Sequence, residues 1–176
     1  LQGLLLALLF GSAPFQGRTL PAVAAKVASL EKRLVPNSAA LSRLVLAYEA
    51  LGDETAKNLI DAGISLLSEI TQKYEGTVIK TIGDEIMCTF PTANAAVEAA
   101  MEMHQSLEDM TLDGRPDFLP PNIYVGFHFG PVIHQKGDVF GDAVNVAARM
   151  VQMAKQRQIT TTEQTVKMLD PEHQNN

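Results

Sequence analysis

The sequence predicts an α+β domain: a mainly antiparallel sheet with helices packed on one face. Three observations predict it. Segments with apolar residues at helical spacing alternate with short β-rich runs, and the runs "TVIK" and "EIMCTF" are joined by so few residues that they make a hairpin rather than a crossover. The order helix, hairpin, helix, strand, helix, strand, helix lacks the strict alternation of a doubly wound parallel sheet. Finally, 176 residues of which 46% are hydrophobic suffice for one domain with a sizeable core.

Residues 1–44 read as an atypical N-terminal segment and linker, and residues 45–176 as the folded domain. "LQGLLLALLFGSAPFQG" opens without methionine, and its apolar run is shorter than the ~20 residues that span a bilayer. It also lacks the positive flank of a secretory leader. The tail of a truncated membrane helix, a degraded leader and a non-native stretch stay open. Residues 18–44 suggest an amphipathic linker helix broken near Pro36. In "LGDETAKNLIDAGISLLSEITQKYEG", Asp53 is the expected N-cap. Ala56, Leu59, Ile60, Ile64, Leu67 and Ile70 form the apolar stripe, and Gly76 is the stop. The hairpin follows, with Gly83 supplying the turn and Asp84 at its tip. "TANAAVEAAMEMHQSLEDM" is a second helix, "LDGRPDFLPPN" a loop, and "IYVGFHFGPVI" a strand ending at a Gly-Pro turn. "GDAVNVAARMVQMAKQ" is a third helix, and "QITTTEQTVKML" a short strand and last helix.

Composition excludes several classes. A net charge of −6 argues against a nucleic-acid scaffold. One cysteine and four histidines without ligand spacing leave no thiolate zinc site and no disulfide framework. Cys88, inside a strand pattern, is a small buried hydrophobe. His128 and His134 are strand and loop polar residues, and the Met101, Met103, Met110 and Met150, Met153 groups are helix packing surface.

"VIKTIGDEIMCTFP" and "GFHFGPVIHQKGDVFGDAVNVAARM" together resemble the catalytic domain of the class III nucleotidyl cyclases, especially bacterial adenylate cyclases. The likeness runs from about Tyr48 to Leu169 and implies the ferredoxin-like cyclase fold. It implies that Asp84 is a metal ligand, since Mg²⁺ or Mn²⁺ is held by one or two carboxylates plus substrate phosphates. Glu85 beside it is expected to point away as a surface charge. Lys80 and Asp138 match the base-reading pair, and a donor beside an acceptor suits the ring nitrogen and exocyclic amine of adenine. Asn145 and Arg149 match the transition-state pair. Being four apart they share a helix face, the asparagine orienting ribose and the arginine meeting charge on the α-phosphate. Without the resemblance these residues would read as a solvated turn, a surface pair of a strand lysine and a loop aspartate, and the polar edge of an amphipathic helix, although an amide among the small apolar residues of "AVNVAA" would be costly if unpartnered.

The implied activity is conversion of ATP to 3′,5′-cyclic AMP and pyrophosphate by a homodimer, or a heterodimer with another cyclase domain. No nucleic-acid partner is implied. The expected location is cytoplasmic, with a membrane tether upstream of residue 1 left open. The family's opening strand carries a metal aspartate in a phrase like Phe-x-Asp-Ile-x-Gly. Here an ungapped match places Ala40 at that position, and no aspartate occurs between residues 1 and 52. The chain also stops before the family's closing hairpin and phosphate-binding lysine. The rival expectation is therefore a catalytically inactive cyclase-homology module that dimerises and regulates.

Overall fold

A computed structural model describes residues 2–9, 53–110, 121–155 and 157–174. The strands are β1 (Gln2–Leu9), β2 (Thr77–Ile82), β3 (Glu85–Phe90), β4 (Ile123–Gly130), β5 (Ile133–Gln135), β6 (Asp138–Phe140) and β7 (Ile159–Thr160). The helices are α1 (Asp53–Lys73), α2 (Ala93–Glu108), α3 (Asp142–Met153) and α4 (Glu163–Val166). One sheet runs β2-β3-β1-β4-β7, antiparallel except for the β4–β7 pair, and β5–β6 is a separate antiparallel hairpin. The expected α+β class holds, and from Asp53 onward the anticipated elements follow in order, with the β5–β6 hairpin inserted between β4 and α3.

The main core lies where α1 and α2 cover one sheet face. Leu67 and Ile70 of α1 and Ala96, Ala99, Ala100, Met103 and Leu107 of α2 meet Ile86, Cys88 and Phe90 of β3 and Ile123, Val125 and Phe127 of β4. The alanine run of α2 suits this role, because small side chains let the helix lie close and cost little side-chain entropy. Thr92 caps α2, its hydroxyl accepting from the Ala95 amide at 3.0 Å. Met103 is core as expected, but Met101 and Met153 stand 43% and 68% exposed, so the methionine groups are not uniformly packing surface.

Four local expectations are corrected. The first concerns β1: within the segment expected to be an atypical N-terminal segment and linker, Gln2–Leu9 occupies the middle position of the sheet, pairing with β3 on one edge and β4 on the other. Such an apolar run carries no alternation to mark it as a strand, since central strands can be continuously hydrophobic. Ala40, the expected match for the opening-strand aspartate, lies outside the described residues. The second concerns the faces. Alternation along β4 turns Gly126 and Gly130 away from the α1–α2 core. A Cβ on Gly126 would stand 2.6 Å from the Met150 carbonyl carbon, and one on Gly130 3.1 Å from the Ala143 Cβ. Helix α3 therefore covers the opposite face, and the helices are not all on one side. The third concerns Gly76: the residue with positive φ after α1 is Glu75 (φ 57°), while Gly76 is small because a Cβ would meet the Phe90 ring at 2.6 Å. The fourth concerns Asp138, which opens strand β6 rather than lying in a loop.

Candidate active site

The hairpin tip is built by a two-residue turn. Ile82 pairs with Glu85, Gly83 takes φ 62°, and Asp84 keeps a negative φ, the pattern of a type II′ turn with glycine first. Asp84 is half-buried, and its carboxyl is pushed up to about 6, mainly by burial and further by the Glu85 charge, against a backbone hydrogen bond that lowers it. Glu85 is half-buried too and is raised by burial, so it is not the free surface charge expected.

Lys80 follows a register shift between Val78 and Lys80, where β2 carries an extra residue against β3. A bulge of this kind re-aims the side chain that follows it. Its ammonium donates to both carboxylate oxygens of Asp138, at 2.8 Å to Oδ1 and 2.6 Å to Oδ2. The Val139 amide donates to Oδ1 at 2.8 Å. The Lys80 bond, then that amide, hold the Asp138 carboxyl below the ordinary carboxylate range. A second small core fixes this meeting: Val139 and Ala147 are buried together, with Ile79, Met87, Val132 and Val144 packed around them. It ties the β5–β6 hairpin to β2, β3 and α3, so residues 58 apart in sequence come into contact.

On α3 the small residues Ala143, Ala147 and Val151 are buried, leaving Asn145 and Arg149 together on the exposed side. Neither has a hydrogen-bond or ion-pair partner among the described residues. Asn145 is thus not a buried amide, and the cost expected from its apolar neighbours does not arise. The small neighbours serve helix packing instead.

The sequence-matched residues do not form one cluster. Leu8 pairs with both Glu85 and Tyr124, so the Asp84 tip lies at the sheet end where β4 begins. Helix α3 starts beside Gly130, where β4 ends, and runs back toward Gly126. Lys80 and Asp138 are brought together, whereas Asp84 and the Asn145 region belong to different ends of the domain. His128 is held inside the fold, its Nδ1 2.9 Å from the Thr162 hydroxyl and 3.3 Å from Thr165, with burial lowering its pKa. Cys88 is buried, and its thiol is pushed up to about 12 by that burial, as an inert core residue should be.

The donor set limits what cation can bind. Asp84 is the hairpin-tip carboxylate, and the neighbouring strand β1, "QGLLLALL", contributes none. Among the described residues no three His, Cys, Asp or Glu gather into a metal-holding group. Such a set fits one hard cation shared with substrate phosphates. It does not fit a pair of cations bridged by protein carboxylates. Two features escaped the sequence reading: the β5–β6 hairpin, signalled only by Lys136-Gly137 between two short β-rich triplets, and Gly126, whose importance shows only once α3 is seated on it.

The family described as the adenylate and guanylate cyclase catalytic domain matches residues 45–176. An adenylate cyclase of Streptomyces coelicolor is 28% identical over 126 residues, covering 71% of this chain and 31% of that protein. One from Streptomyces griseus is 29% identical over 105 residues, covering 59% and 24%. The chain thus spans about a third or less of the curated relatives it matches. Among solved structures, the adenylyl cyclase CyaB from P. aeruginosa matches at TM-score 0.63 and 18% identity, covering 95% of this chain and 79% of that one. A Trypanosoma brucei adenylate cyclase structure in the monomeric state matches at TM-score 0.65 and 16% identity, covering 99% and 78%. The monomeric guanylyl cyclase domain of the RhoGC fusion protein from Blastocladiella emersonii matches at TM-score 0.61 and 16% identity, covering 95% of this chain and 83% of that one. At these identities the structural likeness carries the fold alone. With three quarters of its length matched, the chain belongs to the adenylate and guanylate cyclase catalytic domain family.

Proposed function

We propose that the chain acts on ATP as an adenylate cyclase domain and supplies the base-reading and transition-state half of a site shared between two such domains. The Lys80–Asp138 pair carries this reading. A lysine donor and an aspartate acceptor held side by side complement the ring nitrogen and exocyclic amine of adenine, whereas guanine presents a carbonyl where adenine presents the amine. To engage the base, the pair exchanges part of its bidentate contact for these two hydrogen bonds. Both partners are about a third exposed, so the exchange costs little.

In the reaction the ribose 3′-oxygen attacks the α-phosphorus in line. The bond from that phosphorus to the bridging oxygen breaks, pyrophosphate leaves, and the hydroxyl proton passes to water. Attack within one molecule makes positioning the main requirement. Asn145 orients the ribose, and Arg149, unpaired among the described residues and always charged, meets charge developing on the α-phosphate. Asp84 would hold a single Mg²⁺ or Mn²⁺, which neutralises phosphate charge when bound. The location proposed is cytoplasmic. No described helix is long and apolar enough to cross a membrane.

A second reading, a catalytically inactive cyclase-homology module, is favoured by one observation: β1 brings no carboxylate to the hairpin tip. Incubating purified chain with ATP and Mn²⁺, alone and mixed with a cyclase domain whose metal aspartates are intact, separates the two. Cyclic AMP in either case supports the catalytic reading, and nucleotide binding without turnover in both supports the module. Wherever nucleotide is bound or turned over, Lys80→Glu combined with Asp138→Cys should shift preference toward GTP, and an unchanged ratio would show that these residues do not read the base.

A further inference from the structure

Three large apolar side chains lie exposed on the strands that carry the Lys80–Asp138 pair and on the strand paired with one of them. Phe140 is two residues beyond Asp138 on β6, with buried Val139 between them, so Phe140 and Asp138 share one strand face. Ile133 is the direct cross-strand partner of Phe140. Ile82 is two residues beyond Lys80 on β2, in regular register, and so shares the Lys80 face. Their exposures are 49% for Phe140, 66% for Ile133 and 45% for Ile82, among the highest of any large apolar residues described. Single exposed apolar residues need no explanation, but Phe140 and Ile82 are each the next residue on the same strand face as one member of the ion pair, with Ile133 opposite Phe140.

The chemistry that fits a charged donor–acceptor pair flanked by apolar walls is a flat heteroaromatic ring. Its edge hydrogen-bonds to the pair, and its face needs an apolar or aromatic cover. We propose that Phe140 is a base-stacking residue, packing against the face of the purine whose edge Lys80 and Asp138 read. The inference rests on the Lys80–Asp138 reading above and adds to it the residue that holds the base in plane. Successive positions on one strand face are spaced ~7 Å apart, which sets the Phe140 ring beside a base hydrogen-bonded to Asp138.

The chain contains no tryptophan, so Phe140→Trp installs a unique fluorophore at the point of interest. The full chain carrying it is titrated with ATP, AMP and inorganic tripolyphosphate, while calorimetry follows ATP binding to the parent chain and to Phe140→Ala and Phe140→Leu. ATP and AMP are expected to quench the tryptophan and tripolyphosphate is not. Phe140→Ala should weaken ATP binding about tenfold with an unchanged melting temperature, since stacking on one aromatic ring is worth ~1–3 kcal/mol per base. Phe140→Leu should recover only part of it. If the parent binds ATP but the tryptophan is not quenched and Phe140→Ala binds normally, the stacking role is overturned while the base-reading pair stands. If the parent binds no ATP, both fall. Self-association that Phe140→Ala abolishes, with nucleotide binding untouched, would assign the patch to a second copy and overturn the proposal.

Discussion

Asp84 is costly to keep ionised where it stands. Its folded pKa of about 6 lies above the ordinary 3.8, so the folded state favours the protonated carboxyl. The benefit is complete below the unfolded value and is lost as pH rises through about 6, leaving a charged, half-buried group at neutral pH. Asp84→Asn is therefore expected to stabilise the metal-free chain near neutrality by about 1–2 kcal/mol, allowing for its partial exposure, and to do almost nothing near pH ~4. Paired thermal melts at the two pH values check this, and an equal shift at both would remove burial as the cause. The same substitution should remove any weak metal-dependent turnover the chain has by itself, and turnover that survives it would show that the tip carboxylate is not a ligand. Lys80→Ala behaves differently. Its partner Asp138 is about a third exposed, so the stability loss should stay below ~1 kcal/mol, and any loss of ATP binding can be assigned to recognition.

At the scale of elements, the position of α3 decides where Asn145 and Arg149 stand, and Gly126 decides the position of α3. Any side chain there would run into the Met150–Val151 backbone. Gly126→Ala is expected to cost ~2–3 kcal/mol in denaturant unfolding, the upper range for overpacking, because backbone rather than a flexible side chain must move. Thr92→Ala, removing the α2 cap, should cost ~1 kcal/mol. A Gly126→Ala cost no larger than the cap's would mean that α3 is free to shift. These contacts also explain what was legible beforehand. The β2–β3 hairpin and the Asp84 tip were readable because a glycine turn between two β-rich runs is a local signal. The α2 and α3 boundaries were readable because small and apolar residues recur at helical spacing. The face α3 covers was not, because it depends on which β4 positions lack a side chain, and a glycine in "VGFHFG" carries no sign of the helix packed against it. Nor was β1, whose leucines fit a buried strand as well as an apolar leader. Among site residues, Lys80 and Asp138 were found through family likeness, and their contact depends on Val139 and Ala147, a long-range packing that no local pattern displays.

For the whole molecule, Asp84 stands apart from Asn145. Asp84 is at the sheet end where β4 begins, beside a β1 strand with no carboxylate. Helix α3 starts at the opposite end and runs back to Gly126 with Asn145 and Arg149 open to solvent, and the Lys80–Asp138 pair lies on β2 and β6. A two-fold pairing would set the Asp84 end of one chain against the α3 of its partner and repeat the same shortage at both sites. The central claim is that this chain has a working base-reading and transition-state half and an incomplete metal half. It is tested most directly by mixing the chain with a related cyclase domain whose metal aspartates are intact but whose own asparagine and arginine have been replaced, and measuring cyclic AMP formed from ATP and Mn²⁺. Each protein alone is expected to be weak or inactive, with activity restored on mixing and lost again with Arg149→Ala in this chain. A heterodimer demonstrated by light scattering that still makes no cyclic AMP would contradict the account and leave the regulatory module in its place.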